Sequence, residues 1–165
     1  CALPPAHPFT TNPHNLYLVI HRTIIAHLAT LGFETYLRGD AAPSTGQPEA
    51  FLCFQRGDPC DVHSLGQKVL GSAQRRRRGA VLQHGSLILR QSPFAPHIPG
   101  LFDLAGKSTE EMNLGESLAR PVAEQLLWPA TQDTPSPSEL EQAAQLLKTR
   151  YAERLDWNRS SPGNR

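Results

Sequence analysis

The step from Asn12 to Pro13 opens the stretch that most constrains how this chain can fold. Asparagine is a preferred N-cap, and proline suits the first helical position, where its missing N–H would have had no partner. Leu16, Val19, Ile20, Ile24, Leu28 and Leu31 then recur at steps of three and four, and Gly32 stands just past the last of them. That is a single apolar stripe with a terminator behind it. The pattern predicts a helix over 13–31 with one face committed to a core.

What surrounds this helix is shorter and punctuated. Residues 1–11 carry Pro4, Pro5 and Pro8 and read as an extended loop; 33–37 alternates like a short strand, and 39–48 is loop composition. Residues 51–55 are a brief apolar run. From 61 the period changes to that of a meander: strands over 61–64, 68–74 and 80–89, with turns at Gly66 and Gly79. A proline-spaced loop follows over 91–100. Two helices close the chain. One spans 116–127 and should have Pro121 in its first turn or be broken by it; the other spans 138–155 behind a Ser138–Glu141 capping box. This order gives an α+β fold, a mixed and largely antiparallel sheet with helices packed on it.

At 165 residues the chain has the size of one domain, and 16 Lys and Arg against 15 Asp and Glu argue against a general nucleic-acid binder. No apolar run approaches the roughly 18 residues of a membrane span, and the opening residues do not form a secretion signal. Cysteines stand at 1, 53 and 60 without a metal-type spacing. Free thiols in a reducing, cytoplasmic setting are the simplest expectation, with no metal site.

Four features of the meander could carry chemistry. Cys53 ends an apolar run beside a Gly/Pro loop, as either a small buried hydrophobe or a nucleophile at a pocket mouth. Lys68 opens a strand otherwise built of small and apolar residues; it is either an edge lysine or a ligand for something slender lying against Gly71, Ser72 and Ala73. Arg75, Arg76, Arg77 and Arg78 coat a hairpin turn and either face water or dock an acidic or phosphorylated partner. His84 and Ser86 flank Gly85 on one strand face, but i and i+2 neighbours with no orienting acid make a poor hydrolase pair.

Taken together, the run from Lys68 through Gly71-Ser72-Ala73-Gln74 to Gln83-His84-Gly85-Ser86 resembles the K-[IV]-x-G-S-A-Q-x-R-x-x-G-x-x-x-Q-H-G-S-I-x-L signature. That signature belongs to the lipoate–protein ligase and octanoyltransferase family of the biotin/lipoate ligase superfamily. The resemblance implies that residues 1–157 form part of such a catalytic domain and 158–165 a polar tail. It implies that Lys68 contacts the acyl carbonyl and that Gly71, Ser72, Ala73, His84, Gly85 and Ser86 wall the acyl site. In ligase-like, LipM-type transferases the acyl-carrying cysteine lies in a C-F element shortly before the lysine strand. Cys53-Phe54 stands 15 positions before Lys68, which makes Cys53 the expected nucleophile and Cys60, beside Asp61, a weaker competitor.

The family's R-R-x-x-G-G-G-x-x-x-H motif belongs before the first helix and does not occur in these residues. The expectation is therefore a fragment whose N-terminal part is missing. The resemblance implies an acyltransferase that takes octanoyl from acyl carrier protein and passes it, through a cysteine thioester, to a lysine of a lipoyl domain. Such domains belong to 2-oxoacid dehydrogenases or the glycine cleavage H protein, and their acidity would suit the arginine turn. This chemistry uses no cofactor, nucleic acid or membrane. The alternatives are an ATP- and Mg-dependent lipoate–protein ligase and a non-catalytic acyl- or carrier-binding protein of the same fold.

Overall fold

A computed structural model describes residues 1–39, 57–108, 113–127 and 133–151. Cys53 and the apolar run around it lie outside the described residues, as do the extension of the last helix beyond 151 and the polar tail. Contacts divide the chain into two units, residues 1–130 and 131–165.

The capped stripe forms helix α1, Pro13–Thr30, with Asn12 Oδ1 accepting from the N–H groups of His14 and Asn15. Leu16, Ile20, Ile24 and Leu28 are buried along it. Gly32 takes φ +75°, the left-handed conformation that closes a helix. The Lys107 ammonium then donates to the carbonyls of Leu31 and Gly32 at 2.8 and 2.9 Å.

Five strands make one antiparallel sheet in the order β1-β5-β4-β3-β2. They are β1 (Ala2–Leu3), β2 (Tyr36–Leu37), β3 (Val62–Ser64), β4 (Gln67–Arg77) and β5 (Ala80–Leu87). Sequence reading missed β1, because the prolines that follow it mask a leucine that is 2% exposed and pairs with Val81. Strand β4 is longer than expected and takes in Arg75, Arg76 and Arg77. The tight turn is left to Arg78 and Gly79, both at positive φ. Strand β5 ends earlier than expected, at Leu87, because the Ile88 and Leu89 carbonyls accept from the N–H groups of Leu101 and Phe102 instead. Those residues begin α2 (Leu101–Ala105), a short helix with no sequence signal; Phe102 packs edge-on against Phe33 at 5.1 Å.

One irregularity positions the site. Val62 pairs with Leu70 but His63 pairs with Lys68, so Val69 is an extra residue, a β-bulge. Val69 and Leu70 are consecutive and both buried. Lys68 and Gly71, on either side of them, come to share the sheet face turned away from α1. Beyond Gly71 strict alternation resumes: Ser72, Gln74 and Arg76 face α1 and the residues before it, while Ala73, Arg75 and Arg77 share the other face with His84, Leu82 and Ala80.

Helix α3 (Leu114–Gln125) starts two residues before the expected point, where Asn113 Oδ1 accepts from Glu116 N–H. Pro121 therefore sits in its interior, neither in the first turn nor at a break. Leu114 and Leu126, with Leu118 and Val122, join the core from both sides of the proline, and this packing outweighs the lost backbone bond. In the second unit, α4 (Pro137–Leu146) is capped by Ser136 with Glu139, not by Ser138 with Glu141. The earlier cap puts Pro137 at the first helical position, where it costs no hydrogen bond. A single π turn, Leu147–Tyr151, follows.

Candidate active site

Lys68, the second residue of β4, reaches back to Asp61, which precedes β3; Nζ and Oδ2 are 2.9 Å apart, and the two side chains are 15% and 5% exposed. The loop that carries Asp61 is tied by its own carboxylates. Asp61 Oδ2 accepts from Asp58 N–H at 2.7 Å, and Asp58 Oδ1 accepts from Cys60 N–H at 2.8 Å. A Cβ at Gly71 would meet the Lys68 side chain and, at 3.3 Å, Asp61 Oδ1, so only glycine leaves room for this pair to lie against the strand.

The pair sits where two hollows meet. One, of about 210 Å³, is a shallow cleft on the β4–β5 face, walled by Gly71, Ser72, Ala73, His84, Gly85 and Ser86 with Lys68 at its end. The other, of about 450 Å³, lies between α1 and the loop 57–61 and also carries Lys68, Asp61 and Ser72. A third, more apolar slot of about 270 Å³ runs under β4 and β5, past Ile20, Ile24, Leu70 and Leu87. Ser72 borders all three. Among the described residues no cluster of three His, Cys, Asp or Glu side chains could hold a metal ion, and no helix is long and apolar enough to cross a membrane.

Cys60 borders the larger hollow, but it is 4% exposed, and burial together with the Asp58 carboxylate pushes its thiol pKa up to about 11. Such a thiol is protonated and a poor nucleophile at neutral pH.

Residues 2–92 match the model of the biotin/lipoate A/B protein ligase family. The chain belongs to that family. The octanoyltransferase LipM of Symbiobacterium thermophilum is 35% identical over 118 residues, covering 65% of this chain and 43% of that protein. The LipM of Kyrpidia tusciae is 29% identical over 166 residues, covering 86% and 60%. Among solved structures, the bi-partite lipoate protein ligase of Thermoplasma acidophilum, described with its E2 lipoyl domain, has the same fold. It superposes with a TM-score of 0.57 at 18% identity, over 99% of this chain and 63% of that one. The chain thus spans about half the length of these family members.

Within this member of the family, the cleft brings together Lys68 and all six residues expected to wall an acyl site. The arginine run does not stay together. Arg76 turns toward α1 and donates to the Thr10 carbonyl, while Arg75 and Arg77 lie on the opposite sheet face. Two residues at the site escaped sequence reading as functional candidates. Asp61 figured only as a neighbour of Cys60. His21 lies three positions before Ile24, on the apolar stripe, and a buried-face histidine was the available signal.

Proposed function

We propose that this protein moves an octanoyl (or lipoyl) group onto a lysine of a lipoyl carrier domain through a cysteine thioester. The observation that supports it best is the Lys68–Asp61 pair held over Gly71 at the end of the small-residue cleft, in a chain similar to LipM octanoyltransferases. The lysine ammonium would meet the acyl carbonyl there and stabilise the oxyanion as the carbonyl is attacked.

Cys53 is the proposed carrier of the acyl group. Its thiolate attacks the thioester of octanoyl-acyl carrier protein, which forms the enzyme thioester and releases the carrier thiol. The ε-amine of the target lysine then attacks, forming an amide and freeing Cys53. Exchange between thioesters is nearly thermoneutral, so the sequence needs neither ATP nor a metal ion. The protonated state of Cys60 removes the nearest competitor. Arg75, Arg77 and Arg78 are the proposed contacts for an acidic carrier domain; Arg76 is occupied by Thr10.

Mass spectrometry tests the assignment. Mixing the protein with octanoyl-acyl carrier protein should add one octanoyl group, which is lost in Cys53→Ala. An adduct that persists in that variant, or maps to Cys60, overturns the role of Cys53. Carrier modification that requires ATP, Mg and free lipoate and survives Cys53→Ala would establish a ligase instead. Carrier binding without modification under any donor would establish a non-catalytic protein.

A further inference from the structure

On the α1 side of β4, beneath the cleft, four side chains form one directed chain of hydrogen bonds that the steps above leave unused. His21 Nδ1 closely approaches the Cys60 carbonyl. A carbonyl only accepts, so Nδ1 carries the ring proton. Burial holds the His21 pKa below its ordinary value, which leaves Nε2 a bare acceptor near neutral pH. Ser72 Oγ lies 2.7 Å from Nε2 and must donate to it.

Gln83 Nε2 donates to the same Ser72 oxygen at 3.2 Å. Gln83 is fixed in turn by Gln74, whose Nε2 reaches Gln83 Oε1 and the Pro13 carbonyl, both at 2.9 Å. A hydroxyl has one proton to donate and two lone pairs. Ser72 gives its proton to His21 and one lone pair to Gln83, which leaves a second lone pair on a residue that lines the hollow shared with Lys68. The arrangement has the polarity of a proton conduit leading out of that hollow.

We propose that Ser72 and His21 remove the proton of the attacking amine when the acyl group passes to the carrier lysine. This rests on the acyl-transfer reading and adds the base that reading lacks. As the amine nitrogen forms its bond to the acyl carbon, the carbon–sulfur bond breaks and its electron pair leaves with the cysteine sulfur. The amine proton passes to Ser72 Oγ while the hydroxyl proton moves to His21 Nε2. The imidazolium then gives its proton up to water, and the freed thiolate is reprotonated from water. Asp58 and Asp61 on the adjoining loop favour the transient imidazolium, whereas Lys68 opposes it.

The test loads the protein with octanoyl from its carrier and times delivery to a lipoyl domain in a single turnover. His21→Asn can still offer an N–H to the Cys60 carbonyl but has nothing in place of Nε2. Loading should proceed at the normal rate in this variant, and delivery to lysine should slow roughly 10²-fold, as for loss of a general base. Ser72→Ala should slow delivery by a similar factor; because Ser72 also walls the cleft, its loading can change as well, and His21→Asn carries that comparison. Hydroxylamine cleaves thioesters without an enzymic base and should discharge wild type and both variants equally fast, an equality that a displaced acyl group would not give.

Delivery within about twofold of wild type in both variants overturns the relay, as does ¹⁵N NMR showing the His21 proton on Nε2, or an octanoyl ester found on Ser72. A wild-type protein that takes up no octanoyl at all sinks the acyl-transfer reading itself, and the relay with it.

Discussion

Lys68 lies across the bare backbone of Gly71, where a Cβ would stand 2.7 Å from its Cε and 2.9 Å from its Nζ. Gly71→Ala would therefore displace the end of a flexible side chain without pressing on backbone. The fold should lose about 1 kcal/mol or less, while octanoyl loading falls roughly 10- to 100-fold because the ammonium is moved from its place. Urea unfolding and timed mass spectrometry read the two effects separately. Unchanged loading would show that the lysine does its work from elsewhere.

Gly85→Ala should do the reverse. Its Cβ would stand 2.7 Å from the Gly71 carbonyl oxygen and 2.8 Å from Ser72 Cβ, so strands must part to admit it. A destabilisation of about 1–3 kcal/mol is expected, visible as a lower urea midpoint with an unaltered m-value.

Asp61→Asn removes the charge opposite Lys68 and leaves a weaker acceptor for the Asp58 N–H. A lysine left in a mostly buried place without its partner is costly. A loss of about 2 kcal/mol follows, moderated by the water that reaches the ammonium. A variant as stable as wild type would mean that Asp61 is dispensable to the fold.

With its pKa pushed up to about 11, Cys60 should resist iodoacetamide at pH 8 and react only as the pH climbs toward that value. Peptide mapping after timed alkylation checks this. Its contribution to stability has the matching sign. The folded state holds the proton more tightly than the unfolded chain, whose thiol titrates near 9. Stability is therefore full below pH 9 and declines between 9 and 11.

His21 titrates with the opposite consequence. Burial lowers its pKa, so the unfolded chain binds the proton more readily and stability falls as the pH drops below about 6.5. His63, whose pKa burial also lowers, adds to the same decline. Thermal midpoints between pH 7.5 and 5 should fall more steeply in wild type than in His21→Asn. Parallel curves would show that the imidazole is not kept neutral by its surroundings.

Much of this fold was legible because its signals are local. Asn12, Pro13 and Gly32 announce the two ends of α1 within a few residues of where they act. The glycine-rich run from Lys68 to Ser86 lies on two adjacent strands, so its members had only to pair across one hairpin to share a cleft. What escaped depends on distant partners. Strand β1 exists because Leu3 finds Val81 far along the chain. The length of α3 depends on packing that holds a proline in place. Asp61 and His21 acquire meaning only when the loop before β3 folds against α1 and β4, bringing His21 to Ser72 across 51 positions.

The extra residue at Val69 makes strand length, and not only strand chemistry, a determinant of the site. Adding one position between Lys68 and Gly71 while the bulge persists would set the two on opposite faces and swing the ammonium of Lys68 into the hydrocarbon beneath α1. Deleting Val69, by contrast, would restore strict alternation and leave Lys68 beside Gly71. Substitutions along this segment can be graded in their effects, but an inserted residue acts as a toggle. Engineers who lengthen or graft this hairpin therefore have to keep its bulge in step with its lysine.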